Sequence, residues 1–565
     1  MKVIIIGGVA GGATAAARLR RLDEKAEITV YECSGYISYA NCGLPYYIGG
    51  VITDEDELTL QTPENFLTRF NVVVKVKHEV TDIDLKHKKV TVVNKETGGV
   101  FEDNYDKLIL SPGAHPVTPS YYKAGNRVFT LRTVEDTIKI RRFADEKKPA
   151  TAIVIGGGFI GLETAENLSE RGVKVTVIQR GGHLLSTVDE DIASFIHSKF
   201  RERGIKLMFN VNVTDVAEDD EGVNIKADGM PNLRADMVLC AIGVVPESYL
   251  AEKAGLKLGN KKAICVNSHM QTSDPDVYAV GDAVESDHFV TGEKAVIALA
   301  GPANKQGRIA ADNICGIKSE YRGSQGSSVI KLFDMTVAST GLNEKQVKAA
   351  NYRYEKIILS PLSHAGYYPG GKIMTMKILY DKNTFGILGA SIVGYDGVDK
   401  RIDVIATAMR AGLKVTDLAG LDLAYAPPYS SAKDPVNMAG FIADNIETGL
   451  VKQFYYEDIP ALKGRDDVVL LDTRTQREYA FGHAEGFINI PLDELRKRMN
   501  EMNRGKKIYI MCQSGLRSYL ASRILTQNGF DCYNFAGGYR LYGSVNYDER
   551  FSSSSYPCGM EKDKL

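Results

Sequence analysis

The sequence predicts an α/β chain with two Rossmann-like dinucleotide-binding domains and a further α/β domain at its C-terminal end. Three observations carry this prediction. A strand–glycine loop–helix unit occupies residues 3–22, a second occupies residues 152–171, and a third strand runs into Cys512 with a helix behind it. A length of 565 residues accommodates three or four domains, and 44% hydrophobic residues give each an ordinary core.

The first unit opens on Val3-Ile4-Ile5-Ile6, the unbroken apolar run expected of a parallel strand buried on both faces. Gly7-Gly8-Val9-Ala10-Gly11-Gly12 follows, then a helix-prone run, Ala13–Leu22, and a strand, Ile28–Tyr31, ending at Glu32. Gly7, Gly11 and Gly12 let backbone N–H groups approach a pyrophosphate at the helix N-terminus, and Glu32 is placed to accept from ribose hydroxyls. Val9 replaces the middle glycine of the usual fingerprint.

The second unit, Ala152–Ile155, is followed by Gly156-Gly157-Gly158-Phe159-Ile160-Gly161, which matches G-x-G-x-x-G in full through Gly156, Gly158 and Gly161. Its second strand, Val173–Ile178, ends in Gln179-Arg180 instead of an acid. An acid repels a 2′-phosphate and an arginine welcomes one, so NADPH is expected to be accepted, with NADH not excluded. Thr272–Asp282 then reads as a strand ending in Gly281-Asp282. It resembles the second flavin-binding motif of two-dinucleotide flavoprotein reductases. That resemblance implies FAD, with Asp282 on the ribityl chain and a helix N-terminus following.

Ser38-Tyr39-Ala40-Asn41-Cys42-Gly43-Leu44-Pro45-Tyr46 lies behind the first unit. Dithiol reductases of this superfamily carry a second cysteine where Tyr47 stands, and Cys33 is nine residues away in the other direction. Cys42 is therefore expected to pair with an external thiol or persulfide, or to cycle through a sulfenic acid. Eight cysteines without CxxC pairs or zinc spacing suit a reducing cytoplasm, and no targeting segment precedes the first strand. With 69 basic and 71 acidic residues, the net charge of −2 argues against a nucleic acid partner. No stretch reads as a membrane span.

Cys42 and its flanks, together with His364–Gly370 and Tyr425-Ala426-Pro427-Pro428-Tyr429, resemble coenzyme A-disulfide reductase over residues 1 to about 445. The resemblance implies a mixed disulfide between Cys42 and coenzyme A. It also implies a homodimer with an α+β dimerisation domain, in which Tyr367 and Tyr425 reach the opposite subunit and assist the leaving thiolate. Its coenzyme A contacts fall on Thr14, Arg18, Arg21, Ser38, Asn41 and Lys433. One family lysine falls on Phe70, and Arg69 is read as its replacement. The charges suit coenzyme A phosphates, although Arg18-Leu19-Arg20-Arg21 is also an ordinary helix end.

At the C-terminal end, Val468–Arg474 and Lys507–Met511 read as buried strands, the second entering Cys512-Gln513-Ser514-Gly515-Leu516-Arg517-Ser518. A cysteine between a strand end and a helix start lies in a nest of backbone N–H groups, to which Arg517 adds charge. The segment resembles a single-domain α/β rhodanese with Cys512 as sulfur carrier; related phosphatases have a loop one residue longer.

The expected limits are 1–115 with 245–322 for FAD, 116–244 for NAD(P)H, 323–446 for dimerisation, 447–458 as linker, 459–550 for the rhodanese domain, and 551–565, with Cys558, as tail. The expected activity is NAD(P)H-dependent reduction of coenzyme A disulfide, coenzyme A persulfide or polysulfide. The rivals are an NADH oxidase or peroxidase working through a sulfenic acid, and a sulfur-trafficking module without turnover.

Overall fold

The structure, a computed structural model, describes residues 1–123 and 125–547. The expected tail and Cys558 lie outside the described residues. The chain divides into two compact units, Met1–Gly182 with Gly204–Gly326, and His183–Arg203 with the residues from Ser327 onward.

The first unit holds two five-stranded parallel sheets. In one, Lys2–Ile6 is the central strand, flanked by Glu27–Tyr31 and Lys107–Leu110, with Val73–Lys75 and Val277–Ala279 at the edges. In the other, Thr151–Ile155 is central between Lys174–Gln179 and Met237–Cys240, with Lys206–Phe209 and Val128–Phe129 outermost. The apolar runs become central strands because only there are both faces covered. Val3, Ile4 and Ile5 are fully buried, each side chain contributing roughly 1.5–3 kcal/mol. The unit also holds two antiparallel three-stranded ribbons, His78–Asp84 with Lys89–Asn94 and Val100–Asn104, and Val213–Glu218 with Val223–Ala227 and Leu233–Ala235, and two smaller sheets, Ala114–Pro116 with Val244–Pro246 and Val284–Asp287 with Ile264–Cys265 and Lys294–Ala295.

The helix N-terminus expected to follow Asp282 comes only after a further strand. Gly281–Ala283 forms a single 3-10 turn and the chain continues as the strand Val284–Asp287. Val284 and Glu285 pair in parallel with Ile264 and Cys265, which holds the chain extended. The helix begins only at Ala300, and its Gln306 accepts from the Gly281 N–H at 2.8 Å.

The second unit is built on an antiparallel sheet ordered Ser328–Leu332, Met335–Gly341, Ile387–Gly394, Thr375–Asp381, Tyr354–Leu359. A five-stranded parallel sheet follows, ordered Gln453–Phe454, Cys532–Phe535, Lys507–Met511, Val468–Asp472, Ile488–Asn489. Its first edge strand falls inside the segment read as linker. Phe454 is buried against Phe535 with ring centroids 5.1 Å apart, so burial draws those residues into the sheet. The helix Glu190–Glu202 also belongs to this unit, although it lies within the range expected for NAD(P)H. The buried Lys377 ammonium meets Asp189 at 3.0 Å and Asp191 at 2.8 Å, and Phe200 packs edge-on against Phe333.

Candidate functional site

In the first unit both glycine loops run closely against neighbouring backbone. Gly7 has φ +96°, and a Cβ there would lie 2.1 Å from the Ser111 carbonyl oxygen; one on Gly12 would lie 1.9 Å from that of Gly7. Gly11 is confined by Ser111 and Val280. The helix Ala10–Leu22 starts behind Val9, which offers no side-chain acceptor, so its first N–H groups face outward as an anion would require. In the second loop a Cβ on Gly161 would lie 2.1 Å from the Gly156 oxygen, whereas Gly158 faces open space. The helix Phe159–Glu170 likewise lacks a side-chain cap.

The two strand-end residues do matching work. Glu32 accepts from the Gly8 and Ser34 N–H groups, each at 2.9 Å, and Gln179 accepts from the Gly157 N–H at 3.0 Å. The neutral Gln179 therefore ties down its loop without adding negative charge, and Arg180 is exposed beside it.

Cys42 stands on a single 3-10 turn, Asn41–Gly43, which runs directly into the helix Leu44–Gly49. The segment is held to the first glycine loop by Ser38, whose N–H donates to the Gly8 oxygen at 2.8 Å; Ser38 itself is left-handed, with φ +45°. The thiol is exposed. Desolvation raises its pKa, the Glu163 and Asp282 carboxylates raise it further, and Arg132 opposes them. Arg132 also donates to Asp282 at 3.2 Å. Burial keeps the Asp282 carboxyl above its usual range despite that bond. Cys33, also exposed, is pushed up to about 12 by desolvation and by the adjoining Glu32, to which its thiol donates. Asn41 Oδ1 is buried with no hydrogen-bond partner, an acceptor left for a ligand's donor.

Two residues here escaped the sequence reading. Burial, with Glu166 adding, raises Glu163 to about 7 even though Tyr46 donates to it at 3.3 Å. Glu163 and Arg132 carry no motif of their own; a carboxylate two residues past Gly161 was the one signal available.

The residues expected at coenzyme A phosphates are unevenly engaged. Arg18 is bound by Asp312 at 2.7 Å and Thr14 donates to Asn304 at 2.7 Å, whereas Arg21 and Arg69 are exposed. Lys433, also exposed, belongs to the second unit.

The second unit brings Tyr367 and Tyr425 together, hydroxyl to hydroxyl at 2.7 Å, both exposed. That bond raises the Tyr367 phenol above its usual range. The two loops are joined from beneath by Arg401, which is 1% exposed. Its Nη2 donates to the Ser363 oxygen at 2.8 Å, to Ser430 Oγ at 3.2 Å and to Asp434 at 3.0 Å.

Cys512 ends the strand Lys507–Met511, and the helix Leu516–Gln527 starts four residues later behind Gly515, φ +99°. The thiol is fully buried and accepts from the Gly515 N–H and Ser518 Oγ, each at 3.2 Å. Arg517 makes a two-pronged ion pair with Glu478, at 2.8 and 2.6 Å. Beneath the loop, Asp472 and Arg474 form a buried pair at 2.7 Å, with the Arg474 guanidinium stacked 3.7 Å from the Tyr539 ring centroid.

Fold and sites define a two-dinucleotide redox flavoprotein with an exposed cysteine, Cys42, behind its first glycine loop and a second cysteine loop appended in a further sheet domain. The pyridine nucleotide-disulphide oxidoreductase family matches residues 1–307, its dimerisation domain residues 327–435, and the rhodanese-like domain residues 456–544. The chain belongs to the pyridine nucleotide-disulphide oxidoreductase family, whose cofactors are FAD and NAD(P)H. It is 37% identical over 446 residues to the coenzyme A disulfide reductase of Staphylococcus haemolyticus, covering 79% of this chain and all of the relative. Among solved structures it is similar to reduced Bacillus anthracis CoADR-RHD, with a TM-score of 0.93, 47% identity, and 96% and 98% of the two chains covered. It is also similar to a NAD-dependent persulfide reductase from A. fulgidus, with a TM-score of 0.90, 38% identity, and 96% and 100% covered. Among the described residues no helix is long and apolar enough to cross a membrane.

Proposed function

We propose that the protein reduces disulfide and persulfide forms of coenzyme A with electrons from NAD(P)H, through one thiol, Cys42, while Cys512 carries sulfane sulfur. The lone thiol carries this reading. Cys42 is exposed, Tyr47 stands where a second cysteine would be needed, and Cys33 is not at that spacing. A coenzyme A disulfide reductase and a persulfide reductase as relatives of nearly full coverage support the same substrates.

Gly7, Gly11, Gly12, Glu32, Gly281 and Asp282 would hold FAD, and Gly156, Gly158, Gly161, Gln179 and Arg180 would hold the nicotinamide dinucleotide and admit NADPH; together the two groups would supply two electrons. The Cys42 thiolate attacks the coenzyme A sulfur of a persulfide. One S–S bond forms, the persulfide bond breaks, and hydrosulfide leaves. Two electrons and one proton then convert the mixed disulfide to the Cys42 thiolate and coenzyme A thiol. Tyr425, steadied by Tyr367, holds or protonates the leaving sulfur. Thr14, Arg18, Arg21, Ser38, Asn41, Arg69 and Lys433 position coenzyme A, with Asn41 Oδ1 offering its free acceptor. The working form is a homodimer, in which the tyrosine pair serves the opposite subunit's Cys42. A reducing cytoplasm suits the seven free cysteines of the described residues.

Intact mass spectrometry of the purified protein tests this reading. A reductant-labile adduct of coenzyme A mass on the Cys42 peptide is expected. A sulfenic acid there, with oxygen consumed faster than persulfide, would establish the oxidase instead.

A further inference from the structure

Cys42 sits on a turn continuous with the helix Leu44–Gly49, and six residues are too few for a helix to hold its own place. Its position is set by what grips it. The helix Val134–Lys147 presents Thr137, Arg141 and Asp145 at four-residue spacing, hence on one face. Thr137, fully buried, donates its hydroxyl to the Leu44 oxygen at 2.8 Å. Arg141 Nη1 donates to the Tyr47 oxygen at 2.6 Å, with its guanidinium carbon 5.4 Å from the Tyr47 ring centroid.

The helix Phe159–Glu170 offers a second face of the same spacing, made of Glu163, Asn167 and, at its C-cap, Arg171. Tyr46 donates to Glu163 at 3.3 Å, and Arg171 Nη1 donates to the Ile48 oxygen at 3.0 Å. A Cβ on Gly49 would lie 1.9 Å from Asn167 Oδ1, so the two helices touch there only because Gly49 has no side chain. Asp145 closes the cradle, accepting from Arg141 Nε at 2.8 Å and pairing with Arg171. Desolvation alone would raise the Asp145 carboxyl, but Arg171 and Arg141 outweigh it and hold it below the usual carboxylate range. Two cations therefore meet the carbonyl end of a helix whose opposite end adjoins the thiol, an arrangement the helix dipole favours.

We infer that Arg141, Asp145 and Arg171 are positioning residues for Cys42: the arginines clamp the Tyr47 and Ile48 carbonyls, Asp145 locks the arginines to each other, and the short helix carries that constraint to the thiol. The inference rests on the proposed role of Cys42 as the redox thiol and names what fixes its place. None of the three touches a reacting atom. Their effect falls on the step at the Cys42 sulfur, where a misplacement of about 1 Å costs up to about a hundredfold. Reduction of the flavin by NADPH depends on the glycine loops and is spared.

Stopped-flow absorbance on the full-length FAD-bound protein separates the two half-reactions. Arg141→Met combined with Arg171→Met, and Asp145→Ala alone, are compared with the native protein. Flavin bleaching by NADPH is expected to stay within about twofold of native in each. Reoxidation of the reduced flavin by coenzyme A disulfide is expected to slow about tenfold or more in the double variant and about threefold in Asp145→Ala. Arg141→Lys keeps the charge and one donor, and its reoxidation rate is expected to fall between those of Arg141→Met and the native protein. The Asp145 side chain is 46% exposed, so its replacement keeps the test open should the double variant misfold. Equal slowing of both half-reactions overturns the inference, as does native reoxidation in both variants. Cys42→Ser is the control on the parent reading: reoxidation at the native rate in that variant overturns the role of Cys42 itself, whatever the arginines do.

Discussion

At the scale of single residues, the chemistry turns on how each ionisable group is surrounded. Glu163, near 7, is neutral below that pH and charged above it, and its charge is the leading electrostatic influence raising the Cys42 thiol after desolvation. Above pH 7, therefore, Glu163→Gln should leave Cys42 more fully ionised. Alkylation by iodoacetamide at pH 8 should quicken about two- to fivefold, with the difference vanishing below about pH 6. Equal rates at pH 8 would contradict the electrostatic link. Cys42→Ser should abolish persulfide reduction while NAD(P)H still bleaches the flavin in a stopped-flow trace, because the residues of the glycine loops are untouched.

At the scale of elements, glycines and caps decide what the loops can hold. Gly12→Ala places a Cβ 1.9 Å from the Gly7 oxygen, so the first glycine loop must open. The variant is expected to purify without the visible flavin absorbance of the native protein, and full flavin retention would refute the cradle. The tyrosine loops depend instead on Arg401 and Asp434, which are 1% and 3% exposed. Asp434 also caps the helix Pro435–Glu447 by accepting from the Val436 N–H at 2.9 Å. Asp434→Ala removes a cap and leaves a buried guanidinium uncompensated, a combined cost of about 4–6 kcal/mol. Faster amide exchange at residues 363–368 and 425–430, with a lower Tm, is the expected outcome.

At the scale of the whole molecule, the second unit is held together by a buried ionic network. Lys377, 1% exposed, meets Asp189, Asp191 and Glu344, and Lys356 joins Glu344 to Glu457 at the start of the C-terminal domain. Tyr455 adds a hydroxyl donated to the Lys356 oxygen at 3.0 Å. Lys377→Met takes the buried cation from Asp189 and Asp191 while Glu344 keeps Lys356, and is expected to cost about 3–5 kcal/mol. Glu457→Gln with Tyr455→Phe should loosen only the C-terminal domain, so limited proteolysis should cut near residues 447–456 while the flavin remains bound.

The sequence by itself determined the strands, the glycine loops and the two thiols, because these depend on short-range order. An apolar run such as Val3–Ile6 must be covered on both faces, a strand-to-helix turn such as 7–12 needs glycine where the backbone closes on itself, as at Gly7 and Gly12, and a missing cysteine at position 47 is visible in one line. Tertiary structure decided what depends on residues far apart in the chain. It placed Gln453–Phe454 in a sheet, put Glu163 and Arg132 within electrostatic reach of Cys42, and joined the tyrosine loops over Arg401. It also bound Arg517 to Glu478, 39 residues away. Burial and charge pairing are set by which side chains meet in space, and no local pattern records that meeting.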